Sequence, residues 1–448
     1  MSKYLIVGII LVVLVALLAT NKKLVETLKN IYKIEELRKR ILFTLGLLLV
    51  YRLGSFVTLP GVNHAALEAF TQSFADDNSL MGLLNVFSGG AFSQASIFAL
   101  GVMPYITASI IIQLMGIMVP YFRKMQREGE SGRRKMNQWT RFLTIAVLLL
   151  QAPAYLKSTV MRYNAVSMGE DTFIYTSTII LIAGTMFIMW LGEKITDKGI
   201  GNGVSLIIMI GIVARLPHAF LEELMFQVSA SGSIIMLIVE LVFLAMVFML
   251  AIAIVQAVRK IPVQYAKRIV GNKQYGGVRQ YIPLKLNAAN VMPIIFAQAL
   301  MFIPGLIWGG QWLDIQSFWY NFTLAALVIA FTYFYTAIIV NPQMMADDMK
   351  RNGGFIPGVK PGKSTVTYID NIMTRITLPG SIFLAIITVL PAIAMTIGIS
   401  QGFAYFFGGT SLLIMVGVVL DTLKQIESYL LMRHYDGLMK TGRIQGRY

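Results

Sequence analysis

Apolar residues in this chain run in long blocks rather than alternating with a strand period. Leu, Ile, Val, Met and Phe fill ten such blocks, at approximately 41–59, 95–119, 139–157, 173–192, 202–216, 233–256, 288–308, 320–341, 376–397 and 409–431. A bilayer core of roughly 30 Å takes about 20 apolar residues per helix, and a spanning segment must satisfy its own backbone hydrogen bonds. The blocks therefore predict an all-α polytopic membrane protein with ten transmembrane helices. The fifth block, after the turn Gly199-Ile200-Gly201-Asn202-Gly203, is the shortest. Two further apolar stretches do not fit the count. Residues 79–94, with Leu83, Leu84, Val86, Phe87, Gly89 and Gly90, are too few to span and predict a short re-entrant or interfacial helix. Residues 4–19 lack a clear small-x-small cleavage site and precede Lys22-Lys23, which favours an additional anchor over a cleaved signal.

Ten spans divide into five and five. An odd number per half makes the second half enter the membrane from the opposite side, which permits two inverted five-helix halves, although no sequence repeat is visible. The expected organisation is an extra apolar N-terminal segment (1–23), an N-terminal half (24–216), an external hinge loop (217–232), a C-terminal half (233–431) and a cytosolic tail (432–448).

Charge orients this arrangement. Of 448 residues 56% are apolar and only 13% charged, against about 25% charged in soluble domains. That excludes a soluble enzyme and a disordered chain. Segments 22–40, 120–141, 193–201, 257–287, 342–375 and the tail from about 421 carry 33 of the 38 Lys and Arg residues. The opposite loops hold only Lys157, Arg162 and Arg215 against eight acids. The positive-inside bias places both ends of the ten-span unit in the cytosol. The net charge of +16 is thus mostly topology rather than a nucleic-acid signature.

The membrane interior offers little chemistry. Cysteine is absent, and His64, His218 and His434 are far apart, so no thiolate or HExxH-type metal site is encoded. Arg52 and Glu240 are ionisable residues that stand within apolar blocks, and neither has an obvious partner in the sequence. Gly358-Val359-Lys360-Pro361-Gly362-Lys363-Ser364 resembles a phosphate loop but has three residues between the glycines where four are required. Asn321-Phe322-Thr323 abuts a span and reads as a chance glycosylation match. No catalytic residue, metal or cofactor is expected. Pro104, Pro293, Pro304, Pro379 and Pro391 interrupt the spans, either as ordinary kinks or as parts of a bundle that hinges around a passage. A secondary transporter of small solutes and an intramembrane enzyme stand as rivals to a channel; the first needs a polar site at mid-membrane and the second a catalytic constellation.

Motifs in fixed order then resemble the SecY family, the channel subunits of the bacterial protein translocon. They are Phe87-Ser88-Gly89-Gly90-Ala91, Ala95-Ser96-Ile97-Phe98-Ala99-Leu100-Gly101-Val102-Met103-Pro104-Tyr105-Ile106, Glu128-Gly129-Glu130-Ser131-Gly132-Arg133-Arg134-Lys135, Lys198-Gly199-Ile200-Gly201-Asn202-Gly203, Gln264-Tyr265-Ala266-Lys267-Arg268, Pro283-Leu284-Lys285-Leu286-Asn287, Phe355-Ile356-Pro357-Gly358 and Gly408-Gly409-Thr410-Ser411-Leu412-Leu413-Ile414. The resemblance implies a channel that passes unfolded polypeptide across the membrane and releases apolar segments laterally into lipid. It assigns Val102, Ile106, Val204, Ile208, Ile295 and Ile414 to a constriction ring, and Leu83, Leu84, Phe87, Gly89 and Gly90 to a plug. Gln113 falls at a lateral gate between the second and seventh spans, and Lys267, Arg268 and Lys360 lie on cytosolic docking loops. It further implies the small membrane subunits SecE and SecG, the motor ATPase SecA, the ribosome, and signal sequences and nascent chains as partners within the lipid bilayer. The chain departs from the family at Lys360, where Arg is usual, and in the apolar segment 4–19, which has no usual counterpart.

Overall fold

A computed structural model describes residues 34–63, 85–161, 166, 169–229, 234–265, 268–270, 273–275, 279–308 and 315–441. The N-terminal apolar segment, Leu83 and Leu84, Lys267 and the tail beyond 441 lie outside the described residues.

The helices are α1 (Glu35–Gly54), α2 (Met103–Met118), α3 (Pro120–Arg127), α4 (Glu130–Tyr155), α5 (Glu170–Lys198), α6 (Gly203–Ser229) and α7 (Ile234–Gln256). After a small sheet follow α8 (Met292–Trp308), α9 (Phe318–Ile339), α10 (Pro342–Arg351), α11 (Lys363–Ile397), α12 (Gln401–Ala404) and α13 (Gly409–Thr441). Ten of these helices correspond one for one to the ten apolar blocks. Six are long and apolar enough to cross a membrane by themselves, and a seventh candidate is α2 with α3, bent by 99° at their junction. Several helices outrun their apolar blocks. α11 starts at Lys363, α4 at Glu130, and α6 continues through Pro217 to Ser229, so most of the expected external loop 217–232 is helical. Hydropathy marks only what lipid can hold, whereas the hydrogen-bond ladder continues into water wherever propensity permits.

Exposure follows the same logic. α7 is the most hydropathic span and the least buried, with Ile235, Val242 and Met249 at 72%, 62% and 66% exposure. Such a continuous apolar surface requires lipid or a membrane partner.

The described chain forms two compact units. The first joins α1, the end of α5, the start of α6 and the end of α13 (residues 1–53, 187–207 and 418–448). Its centre is the Gly-rich turn after α5. The Ile200 N–H donates to Thr44 Oγ1 at 3.1 Å, the Gly201 N–H to Gln425 Oε1 at 2.8 Å and the Gly203 N–H to Thr196 Oγ1 at 2.9 Å. A Cβ on Gly203 would lie 1.9 Å from the Gly192 carbonyl oxygen, so this turn admits only glycine there.

The second unit holds residues 54–186 and 208–417. It contains the element that the helical reading did not foresee, a sheet ordered β4-β1-β5 built from β1 (Val258–Tyr265), β4 (Arg279–Lys285) and β5 (Gly354–Phe355), with a separate hairpin of β2 (Arg268–Val270) and β3 (Lys273–Tyr275). β1 pairs antiparallel with β4 from Val258↔Lys285 to Gln264↔Arg279, and with β5 at Gln264↔Phe355 and Tyr265↔Gly354. Pro262 is tolerated because β5 reaches only the last two residues of β1, leaving an edge beside it. Ile261, Val263 and Leu284 pack with Met349, Ile356, Ile369 and Met373, which fixes the sheet to α10 and α11.

Between α1 and α2 the unit buries non-helical backbone. Residues 85–87 make one helical turn, and hydrogen-bonded turns carry the chain from 88 to 95, so the short helix expected over 79–94 is not continuous in its described part. The Gly90 N–H donates to the Asn85 carbonyl at 2.9 Å, the Ser93 N–H to Asn85 Oδ1 at 3.1 Å, and the Phe92 N–H to Ser88 Oγ at 3.0 Å. Gly89 and Gly90 adopt φ of +65° and +92°, open to glycine at little cost. From outside the segment, Tyr155 Oη donates to the Phe92 carbonyl at 2.7 Å while its ring packs on Phe92 at 4.6 Å. Leu59, Ala95, Ala99, Ala152, Phe173 and Leu181 complete this core. Tyr155→Phe keeps the packing but strands a buried carbonyl, which costs about 1–3 kcal/mol. A lowered thermal midpoint of the purified protein is expected for Tyr155→Phe and none for Tyr175→Phe, whose side chain is exposed; equal midpoints would remove Tyr155 as the anchor.

Candidate channel constriction and gate

All positions described in this section except Val204 and its neighbour Gly192 belong to the second compact unit. The segment 86–90 is the reference point. A Cβ on Gly211 of α6 would lie 3.0 Å from the Phe87 carbonyl oxygen and 3.3 Å from the Gly89 nitrogen. A Cβ on Gly101, just before α2, would lie 4.0 Å from Ser88 Cβ. A small cavity lined by Val86, Gln298, Tyr320, Thr388, Thr410 and Ser411 puts the other side of the segment beside α8 and α13. Thr410 Oγ1 donates to Gln298 Oε1 at 2.8 Å in this wall, and both residues are buried.

The sequence-assigned ring positions lie close to these contact points. Val102 follows Gly101 directly and is buried. Ile106 is one turn further along α2, its N–H donating to the Val102 carbonyl at 3.0 Å. Ile208 precedes Gly211 by three residues and shares its face of α6. Ile295 stands in the same relation to Gln298 on α8, and Ile414 follows Thr410 by four residues on α13. Five aliphatic residues from four helices thus lie within one helical turn of groups that touch or line the surroundings of the 86–90 segment. Val204 lies in the first compact unit, half-buried, next to the position a Cβ on Gly192 would take.

Two of these residues share one apolar neighbourhood. Ile106 and Ile295 pack on one cluster whose buried members are Ile110, Ala289, Phe296 and Tyr335. Apolar side chains therefore close the seam between α2 and α8, and α9 backs it through Tyr335 and Phe331, with Phe296 centred 5.2 Å from Tyr335 and 5.3 Å from Phe331. Gln113, the polar residue expected at this seam, is half-buried, and its Nε2 is 3.5 Å from Ser109 Oγ of its own helix. The buried polar link that sequence reasoning missed is Gln298–Thr410. Its signal was a lone glutamine in the apolar block 288–308.

Of the plug positions, Phe87 is half-buried and Gly89 and Gly90 are buried. Of the docking positions, Arg268 opens β2, and Lys360 is exposed in the turn between β5 and α11, with its carbonyl accepting from Thr365 Oγ1 at 3.0 Å. The β1–β5 pairing brings the 257–287 and 342–375 segments together into one structure, a proximity that charge counting did not reveal. Among the described residues no group of three or more His, Asp or Glu side chains is placed to hold a metal ion.

Comparison with known proteins follows the same line. The SecY family model matches residues 96–423. The protein translocase subunit SecY of Chlamydia trachomatis is 39% identical, over 94% of this chain and 99% of its own length. The subunit of the same name from Streptomyces coelicolor is 42% identical over 91% of this chain and 98% of its own, and that from Halalkalibacterium halodurans is 42% identical over 93% and 100%. Among solved structures, one described as a protein conducting channel covers 92% of this chain and 95% of its own with a TM-score of 0.59 at 18% identity. A Sec61 chain in a canine ribosome-channel complex matches the same share of this chain with a TM-score of 0.55 at 17% identity. With a family model over most of its length, relatives near 40% identity and the same ten-helix architecture, this chain belongs to the SecY family.

Proposed function

We propose that Val102, Ile106, Ile208, Ile295 and Ile414 form the constriction of a protein-conducting channel, with the segment around Phe87, Gly89 and Gly90 as its plug and the α2–α8 seam as its lateral gate. As a SecY-family subunit of the cytoplasmic membrane, the chain moves unfolded polypeptides across the bilayer and releases apolar segments into it. SecE, SecG, SecA, the ribosome, signal sequences and nascent chains are its partners. The chain supplies no bond chemistry of its own, and the driving energy comes from the motor or the ribosome.

The reading rests on one observation above the others, the shared apolar cluster of Ile106 and Ile295. Branched aliphatic side chains hold neither water nor ions, so a ring of them closes by dewetting. Their contacts are non-directional, so the same ring yields around many different translocating side chains. A seam closed by such contacts also exchanges readily with an apolar signal helix, since helix–helix and helix–peptide packing are then of similar kind. Arg268 opens β2 and Lys360 is exposed in the turn after β5, and the basic content of these two segments suits anionic partners. Lys at 360 forms a point-charge contact without the bidentate fork of Arg.

Two outcomes follow. Ile106→Asn and Ile414→Asn should raise ion conductance in planar bilayers, whereas Ile238→Asn on an exposed face of α7 should leave it unchanged; three identical conductances would remove the ring. Because the chain has no cysteine, Cys introduced at 106 and 295 are its only thiols. A short bifunctional thiol crosslinker should join them and stop export of a secretory precursor into reconstituted vesicles, with a cleavable crosslinker restoring it. Undiminished export by the crosslinked channel would contradict the gate.

A further inference from the structure

The ends of α6 and α7 enclose two carboxylates that channel function does not use. Glu223 is fully buried and Glu240 is 2% exposed. Gln227 Nε2 donates to both, to Glu223 Oε1 at 2.9 Å and to Glu240 Oε1 at 3.0 Å. The Ser400 N–H, at the turn before α12, donates to Glu223 Oε2 at 2.8 Å. Accepting from one and the same nitrogen, the two carboxyl groups face each other across the Gln227 amide. Glu240 Oε2 is buried with no donor to accept from. Rings seal the site on two sides, with Phe220 against Phe403 at 6.0 Å and Phe243 against Phe407 at 5.9 Å.

The charge balance is the problem to be solved. Two ionised carboxylates in one buried site repel strongly and are each costly to desolvate. The packed elements supply almost no compensation. Glu240 is the only charged residue of α7, and the chain from 376 to 420, which contributes Ser400, α12 and the two phenylalanines, has no charged residue and no histidine. On α6 the remaining groups are Arg215, His218 and Glu222. His218 Nδ1 is 3.2 Å from Glu222, one turn from the pair, and both are substantially exposed. Arg215 lies two turns back, where its Nε is the atom nearest to a Cβ built on Gly90.

We propose that Glu223 and Glu240 share one proton, forming an acid–carboxylate latch that ties the last helix of the N-terminal half to the first helix of the C-terminal half and to the turn before α12. The proton gives the orphaned Glu240 oxygen a hydrogen-bonded role, as O–H donor to the Glu223 carboxylate. It leaves a single negative charge, held by the Gln227 amide and the Ser400 N–H. The latch makes the tie between the halves sensitive to pH. The latch is complete only while the proton is held, so the tie weakens as pH rises and the proton leaves. The decline is about tenfold in the folding equilibrium per pH unit for one proton.

The test uses the intact translocon complex containing this chain, reconstituted in lipid. Infrared spectra at neutral pH should show a protonated carboxyl band in the unaltered protein that is lost in Glu240→Gln, and thermal stability should fall between neutral and alkaline pH in the unaltered protein more steeply than in Glu240→Gln. The infrared measurement on the unaltered protein stands even where the variant fails to assemble. Absence of the band, or stability that follows added sodium or calcium instead of pH, would overturn the shared proton; parallel pH curves for the two proteins would do the same. The Glu240→Gln channel should still export precursor at neutral pH, since the amide retains the hydrogen bond.

Discussion

Irregular backbone buried inside a membrane bundle must find every hydrogen bond within the protein. The stretch from Asn85 to Val102 meets this requirement with Asn85, Ser88 and Ser96 side chains, positive-φ glycines and the reach of Tyr155 from the end of α4. The rest of the second unit is arranged around that solution. α6 is small at Gly211 because the segment lies against it, and Gly101 turns the chain into α2. The contacts that fix the segment also fix where the branched aliphatic residues of α2, α6, α8 and α13 come to lie.

The physical economy differs between the seams. Where α2 meets α8 the contacts are apolar and interchangeable, which suits a contact that opens. Where α8 meets α13 a buried Gln298–Thr410 hydrogen bond holds the helices, and where α6 meets α7 a bridged carboxylate pair does so. Separating buried polar partners costs more than exchanging one apolar neighbour for another. Of these three seams, the α2–α8 contact is the one that parts without breaking a buried polar link.

Much of this was legible in the chain. Each of the ten apolar blocks holds a helix, because lipid leaves the backbone few alternatives, although the second block is irregular up to Val102. The ring positions were carried by motif resemblance, since a single Ile in an apolar block is indistinguishable from a lipid-facing one. The sheet at 257–287 was readable only in the alternation Ile261-Pro262-Val263-Gln264-Tyr265, masked by two prolines and a high basic content. The broken course of residues 85–95 was hidden because glycine pairs and serines are compatible with both a short helix and a chain of turns. Glu240 had a partner after all. Gln227 and Glu223 stand in a stretch expected to be loop, and only the continuation of α6 past Pro217 turns them toward α7.

The central claim is that a translocating chain passes through the aliphatic waist beside the 86–90 segment. A secretory precursor stalled in the complete translocon, probed by single cysteines or photo-reactive residues at Val102, Ile106, Ile208, Ile295 and Ile414, tests it most directly. Crosslinks to the precursor at these positions, with none at lipid-facing Val242, are the expected result. Equal labelling at all sites, or labelling at Val242 with none at the five, would contradict the account.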